Sequence, residues 1–202
     1  MRVAAGARAG HNEVVAGFDS LRGKLLLASP TLVDPNFRRT VVLITEHTEE
    51  GAMGLVLNRA ATSSVREAVP DLTWLAAPEE PVYVGGPVAP TGVIVLAEFS
   101  EPAVAAAIVE DDLGFVGAEA GDDGGADRLA AAIRRARVFA GHSGWGPGQL
   151  ESELGEEAWI VEAPRREEVF TADPEELWAT VLRRMGREYA LLSTMPEDPS
   201  LN

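Results

Sequence analysis

The residues of this chain whose types and spacing could do chemistry are few: His11, His47 and His142, one histidine–serine pair, and one glycine-rich run. His142 and Ser143 are adjacent within Gly141-His142-Ser143-Gly144-Trp145-Gly146-Pro147-Gly148-Gln149, which places a base beside a hydroxyl nucleophile. The nucleophile elbow of serine hydrolases is Gly-x-Ser-x-Gly, however, and Trp145 stands where its final glycine belongs. Neighbouring residues on a strand also point to opposite faces. His47-Thr48-Glu49 matches the His-x-Glu of zinc deaminases, but that centre needs cysteine ligands and the chain has no cysteine. A histidine/carboxylate metal site built from His47, His142 and an acidic partner is the remaining metal option. The simpler expectation for a lone histidine at a strand end is a hydrogen-bonded surface residue. The motifs therefore assign no catalytic residue, no metal and no cofactor.

What remains is binding. The glycine run can aim backbone N–H groups at an anion, helped by the N-terminus of a short helix that opens at its end. With Glu162 closing the next strand it loosely resembles a dinucleotide-binding turn, although its glycine spacing is wrong and Pro147 removes a donor. The plainer reading gives the glycines a tight corner and Trp145 a place in the core. In Asp34-Pro35-Asn36-Phe37-Arg38-Arg39, Asp34 and Asn36 suit Asx turns, Pro35 sets φ, and Phe37 can anchor the loop. Arg38 and Arg39 carry planar donor forks suited to carboxylate or phosphate, and one of them can equally be spent on ordering the connection from within. With Asn58-Arg59 this loop can form one polar surface. The candidate surface for a ligand or partner is thus Asn36, Arg38, Arg39, His47, Asn58, Arg59, His142, Ser143, Gly144, Gly146 and Gln149.

Composition narrows the partners. The chain has 202 residues, 46% of them hydrophobic, enough for one sizeable core in a single domain. Its 32 acidic and 17 basic residues leave a formal charge of −15, a field that repels phosphate backbones and anionic membranes. No Lys or Arg occurs from Glu67 to Asp127. Trp74, Trp145, Trp159 and Trp178 are expected to anchor the core, since nothing near them is basic enough to thread single-stranded nucleic acid. The lack of cysteine fits a reducing compartment. The first twenty residues carry no signal-peptide h-region, and no apolar run approaches the ~20 residues a spanning helix needs. A soluble, cytoplasmic protein is expected.

These groups must be positioned by the surrounding elements. Leu25–Ala28 is a short apolar run ended by Ser-Pro, and Thr40–Thr45 is β-branched and apolar on both parities, a strand covered on both faces. The turn at Gly51–Gly54 predicts a hairpin between Thr40–Thr45 and Leu55–Leu57. Thr62–Val69 reads as a helix capped by Ser63 or Ser64, Pro81–Val84 and Gly92–Ala97 as strands, and Pro102–Val109 as a helical turn or two. Glu119–Asp127 reads as an acidic loop. Leu129, Ile133 and Ala136 share a helical period that predicts a helix over Asp127–Arg137, with a strand opening at Val138. A short helix is expected at Leu150–Leu154, closed by Gly155 in the left-handed region, then a strand at Ala158–Val161. Asp173, Pro174 and Glu176 announce a final helix ended by Gly186. Residues 1–19 read as a flexible extension, 20–192 as one α+β domain, and 193–202 as a mobile acidic tail. The elements intermix without regular βαβ alternation, so a complex, strongly curved mixed sheet is the expected architecture.

The segments SPTLVDPNFRRTVVLITEH, GAMGLVLNR, VYVGGPV, GHSGWGPGQLESEL and FTADPEELW occur in this order. In that order and spacing they resemble the YqgE/AlgH family, also called UPF0301 or DUF179, over about residues 20–190. The resemblance implies a bacterial, cytosolic protein. It also implies a small closed β-barrel and a forked sheet surrounded by helices. Some relatives bear the label of transcriptional regulator through a link to alginate production, which describes a genetic effect and not a DNA contact. Two positions depart from the family pattern: Ala60 stands where a proline usually follows Asn-Arg, and His142-Ser143 replaces the more usual Tyr-Ala. His/Ser chemistry at that pair would therefore not be a family function. The reading is a non-catalytic binding or regulatory module for an unknown protein partner or small anionic ligand. Direct DNA contact is disfavoured by charge.

Overall fold

The structure is a computed structural model that describes residues 18–117 and 125–195. Most of the expected N-terminal extension and acidic tail, and the acidic loop through residue 124, lie outside the described residues. Among the described residues no helix is long and apolar enough to cross a membrane.

The chain is α+β. Strands β1 (Leu25–Ala28), β2 (Val41–Thr48) and β3 (Gly51–Val56) form an antiparallel meander, with β2 and β3 as the expected hairpin. These strands are apolar on both parities because both of their faces are covered. Leu25, Leu27, Val41, Leu43 and Leu55 face one core, and Leu26, Ala28, Val42, Ile44 and Val56 face another. Each such fully buried side chain contributes about 1.5–3 kcal/mol relative to leaving it in water.

Strand β4 (Ala60–Ser64) leads into the single helical turn α1 (Val65–Ala68). Ser64 caps α1, and Glu67 returns a bond to the Ser64 N–H at 3.0 Å, so the expected cap is present but half of the expected helix is strand. Next come β5 (Pro81–Val84), β6 (Val88–Phe99), β7 (Ala107–Glu110) and β8 (Leu113–Phe115). Only Pro102–Val104 of the expected helical stretch is helical, a 3₁₀ turn.

Helix α2 (Gly125–Ala132) stops far short of Arg137, and the long strand β9 (Ile133–Trp145) begins at the next residue. It pairs antiparallel with β6 and with β3, and parallel with β5. The sheet forks here. On one side Phe139, Tyr83 and Leu96 continue the core of β1–β3. On the other side Val138, Val82 and Val95 belong to a separate cluster under Val65 and Leu75.

The remaining elements are α3 (Gln149–Gly155), β10 (Trp159–Glu162), α4 (Arg166–Val169), α5 (Leu177–Met185) and α6 (Arg187–Leu192). Along the sheet the order is β10-β1-β2-β3-β9-β6-β8-β7, with β5 and β4 branching from β9. The two ends, β10 and β7, do not pair, so the closed barrel implied by the family resemblance is corrected to an open, forked sheet. The reason is that β9 divides its length among three neighbours instead of returning to a first strand.

Arg184 clamps α5 to α4 and β10 by donating to Glu168 Oε1 at 2.6 Å and Glu162 Oε1 at 3.0 Å. Burial works against its charge, but these carboxylate bonds together raise its pKa above the usual arginine value.

Candidate functional site

The Asp34–Arg39 loop folds as its residue types dictate. The Asp34 carboxylate accepts the Asn36 N–H at 2.8 Å, an Asx turn, and the Asp34 carbonyl accepts the N–H groups of Phe37 and Arg38. Phe37 anchors the loop, its ring centroid 5.5 Å from Trp159 and 6.2 Å from Trp145. Arg39 has φ of 54°, an uncommon value for a residue with a side chain, and it reverses the chain into β2.

Asn58 and Arg59 lock this loop from the end of the β2–β3 hairpin. Asn58 accepts the Val41 N–H through Oδ1 and donates from Nδ2 to the Arg39 carbonyl, both at 2.9 Å. Arg59 donates to the Arg38 carbonyl at 2.7 Å. Arg39 lies 5.0 Å over the Trp178 ring and donates to the Met195 carbonyl. Asn36, Arg38, Arg39, Asn58 and Arg59 therefore form one continuous surface.

Two clefts open on that surface. One, of about 430 Å³, is walled by Pro35, Asn36, Val56, Arg59, Ala60, Val84, Gly86, Pro87 and Pro90. The other, of about 540 Å³, is more polar and includes Arg39, Asn58, Arg59, Glu175, Trp178 and Arg183. Arg59 borders both. Beside the first cleft, Val84 of β5, Ala140 of β9 and Val93 of β6 are directly paired and so share one face of the sheet. The cover over Val82, Val138 and Val95 runs out there. Val84 is 45% exposed, Val93 48%, and nearby Val88 42%.

The other sequence candidates lie elsewhere. His47 is buried at the end of β2. Its Nδ1 accepts the Leu21 N–H at 2.9 Å, which leaves Nε2 to donate to Glu151 Oε1 at 2.8 Å. This histidine ties residues 20–21 and α3 to the sheet. It is separated from His142 by β3 and three positions along β9.

His142 is half-buried opposite Val88, and Ser143 is fully buried with its hydroxyl on the Gly85 carbonyl at 3.2 Å. The pair faces opposite ways, as strand geometry requires. Gly144 pairs with Met53, and the expected glycine loop is strand through Trp145. Gln149 Oε1 takes the Gly146 N–H at 3.1 Å, and Glu162 is bound to Arg184. Gly155 is the last helical residue of α3, and Glu157 instead takes the left-handed conformation, with φ of 57°.

Three of the four tryptophans are buried, and Trp74 is partly so. The cleft walls at Pro35, Val84, Gly86, Pro87 and Pro90 were absent from the sequence candidates. Pro35 lies in the Asp34–Arg39 loop, and the remaining walls come from the chain around the Gly85-Gly86-Pro87 turn between β5 and β6.

A family model described as AlgH-like matches residues 25–190. A UPF0301 protein of Streptomyces coelicolor is 43% identical over 189 residues, covering 91% of this chain and 96% of that relative. A UPF0301 protein of Thermobifida fusca is 37% identical over 201 residues, covering 91% of this chain and 96% of the relative. Among solved structures, a protein of Corynebacterium diphtheriae superposes with a TM-score of 0.77 at 26% identity, covering 88% of this chain and 94% of its own. The AlgH protein of Pseudomonas aeruginosa superposes with a TM-score of 0.66 at 28% identity, covering 94% of this chain and 98% of its own.

Proposed function

Since the chain belongs to the AlgH-like family, DUF179, we propose that it acts as a non-catalytic binding protein whose recognition surface is the pair of clefts meeting at Arg59. The observation that carries this reading is the juxtaposition of that basic, hydrogen-bonding ridge with the uncovered Val84–Ala140–Val93 sheet face. Contiguous exposed apolar surface rimmed by polar groups is the usual chemistry of a protein interface. The occupant is a segment of another protein. Its apolar side chains rest on the proline and valine walls, and a carboxylate or carbonyl on it meets Arg59.

The alternative anion site at Gly141–Gln149 has less support. Its first five residues are spent in sheet pairing, and Gln149 itself covers the Gly146 N–H. Direct DNA contact is disfavoured by the −15 charge. The non-catalytic reading rests on the separation of His47 from His142 and on the opposed faces of His142 and Ser143.

Affinity capture from an extract of the native cells tests the proposal. Arg59→Glu and Val84→Asp are each expected to lose a partner that wild type retains. Val84→Asp should leave the melting temperature nearly unchanged, while Arg59→Glu also gives up the bond to the Arg38 carbonyl and should lower it slightly. Arg66→Glu, at the far end of β5, is expected to keep it. A partner list indifferent to Arg59 and Val84 would reject the assignment.

A further inference from the structure

Arg137 is 4% exposed and sits in the middle of β9, paired with Leu96. It donates from Nη1 to the Val169 carbonyl at 2.9 Å and from Nη2 to the Thr171 carbonyl at 2.6 Å. Its guanidinium lies 4.1 Å from the centroid of the Tyr83 ring. Two of the five N–H donors of an arginine are thereby used. No carboxylate among the described residues comes within ion-pair distance of it, whereas its neighbours are matched. Arg135 donates to Glu98 at 2.7 Å, and Arg134 donates to Asp112 at 2.9 Å.

A buried charge is costly unless something of opposite sign meets it. Arg137 borders a cleft of about 210 Å³ that is also lined by Arg134, Arg135, Glu80, Phe170 and Leu75. Arg134 and Arg135 reach this cleft with their charges already met by Asp112 and Glu98, so among the described residues Arg137 is the one arginine of its wall with no carboxylate bonded to it. Burial holds the Arg137 pKa below the ordinary arginine value, against the attraction of Tyr83 and Glu80.

We propose that this cleft is a second binding site, which takes a small oxyanion as the missing counter-charge of Arg137. The anion is a carboxylate or a phosphate carried on a small body. Arg137 stands at its inner wall, with Arg135 and Arg134 beside it and Phe170 flanking it. Glu80 opposes it and sets a ceiling on affinity. The site shares no lining residue with the clefts at Arg59, so the two assignments stand or fall separately.

Calorimetric titration with inorganic phosphate and, in a separate arm, with acetate distinguishes the two oxyanions when chloride keeps the ionic strength constant. Wild type is expected to bind one of them saturably in the millimolar range. Glu80→Gln removes the opposing charge and is expected to tighten binding roughly three- to tenfold, the scale of one partly screened charge pair. Arg135→Gln is expected to weaken it by a similar factor. Arg137→Lys keeps the charge, loses the fork, and is expected to weaken it further; if that variant fails to fold, Glu80→Gln and Arg135→Gln on the cleft wall still decide the matter. Heats equal to the chloride blank for both anions, or an affinity that Glu80→Gln leaves unchanged, would overturn the proposal.

Discussion

Glu153 is the side chain through which α3 holds the second core. One of its oxygens accepts the Trp145 indole N–H at 2.9 Å and the Trp159 indole N–H at 2.7 Å, and the other accepts Gln149 Nε2 at 2.9 Å. Both indoles are buried and Phe37 packs against them, so this carboxylate also fixes the platform under the Asp34–Arg39 loop. Glu153→Ala leaves two buried donors unpaired and is expected to cost about 2–6 kcal/mol, at roughly 1–3 kcal/mol for each. Glu153→Gln retains one acceptor oxygen and should cost less. Urea unfolding followed by indole fluorescence measures both, and a Glu153→Ala midpoint equal to wild type would contradict the role. At this scale the sequence was legible where a residue acts through its own backbone or its apolar bulk. The Asx turn at Asp34 and the Ser64 cap need only near neighbours, and the Phe37 anchor needs only an apolar ring, whichever distant side chains it meets. Arg137 and His47 were not legible, because their partners arrive from elements distant in the chain. Glu153 lies only 6 and 8 residues from its two indoles, but which of the neighbouring acidic residues meets them is set by how α3 packs between β9 and β10.

Among the elements, β9 shows why local periodicity misleads. Leu129, Ile133 and Ala136 satisfy a helical repeat, yet α2 ends at Ala132. From Ile133 the chain pairs with β6, and its arginines find Glu98, Asp112 and two carbonyls at and just beyond the end of α4. Helix propensity in a short window is worth only tenths of a kcal/mol per residue, so strand pairing and burial override it. The same override turns Ala60–Ser64 into strand. The fork at β9 also needs close backbone passage at two glycines. Gly141 has φ of 69°, and a Cβ there would stand 2.7 Å from the Gly86 carbonyl oxygen; at Gly86 it would stand 2.3 Å from the His142 carbonyl carbon. Gly148 has φ of 71° but faces open space. Gly86→Ala is therefore expected to abolish cooperative unfolding, while Gly148→Ala costs only about 1–2 kcal/mol of left-handed strain. Thermal melts of the two variants separate these outcomes, and equal losses would refute the distinction.

For the whole molecule, the −15 charge is the dominant long-range term. Like charges destabilise the compact state, and salt screens them within a Debye length of ~10 Å at 0.1 M. The melting temperature is expected to rise between ~0.02 and ~0.3 M NaCl as that screening length shortens. A falling temperature would mean that ion pairs such as Arg184 with Glu168 outweigh the repulsion. By itself the sequence determined the charge field, the two-faced burial of β2, the turns built on Asp34, Gly51 and Gly186, and the family through motifs kept in order. These follow from residue type and from contacts over a few positions. Only the tertiary structure decided that β9 forks the sheet, that the loop at Arg39 and the turn at Gly86 share a cleft, and that Arg137 is buried without a carboxylate. Each of those depends on which distant strands lie side by side, and pairing energy between remote segments leaves no periodic trace in either segment alone.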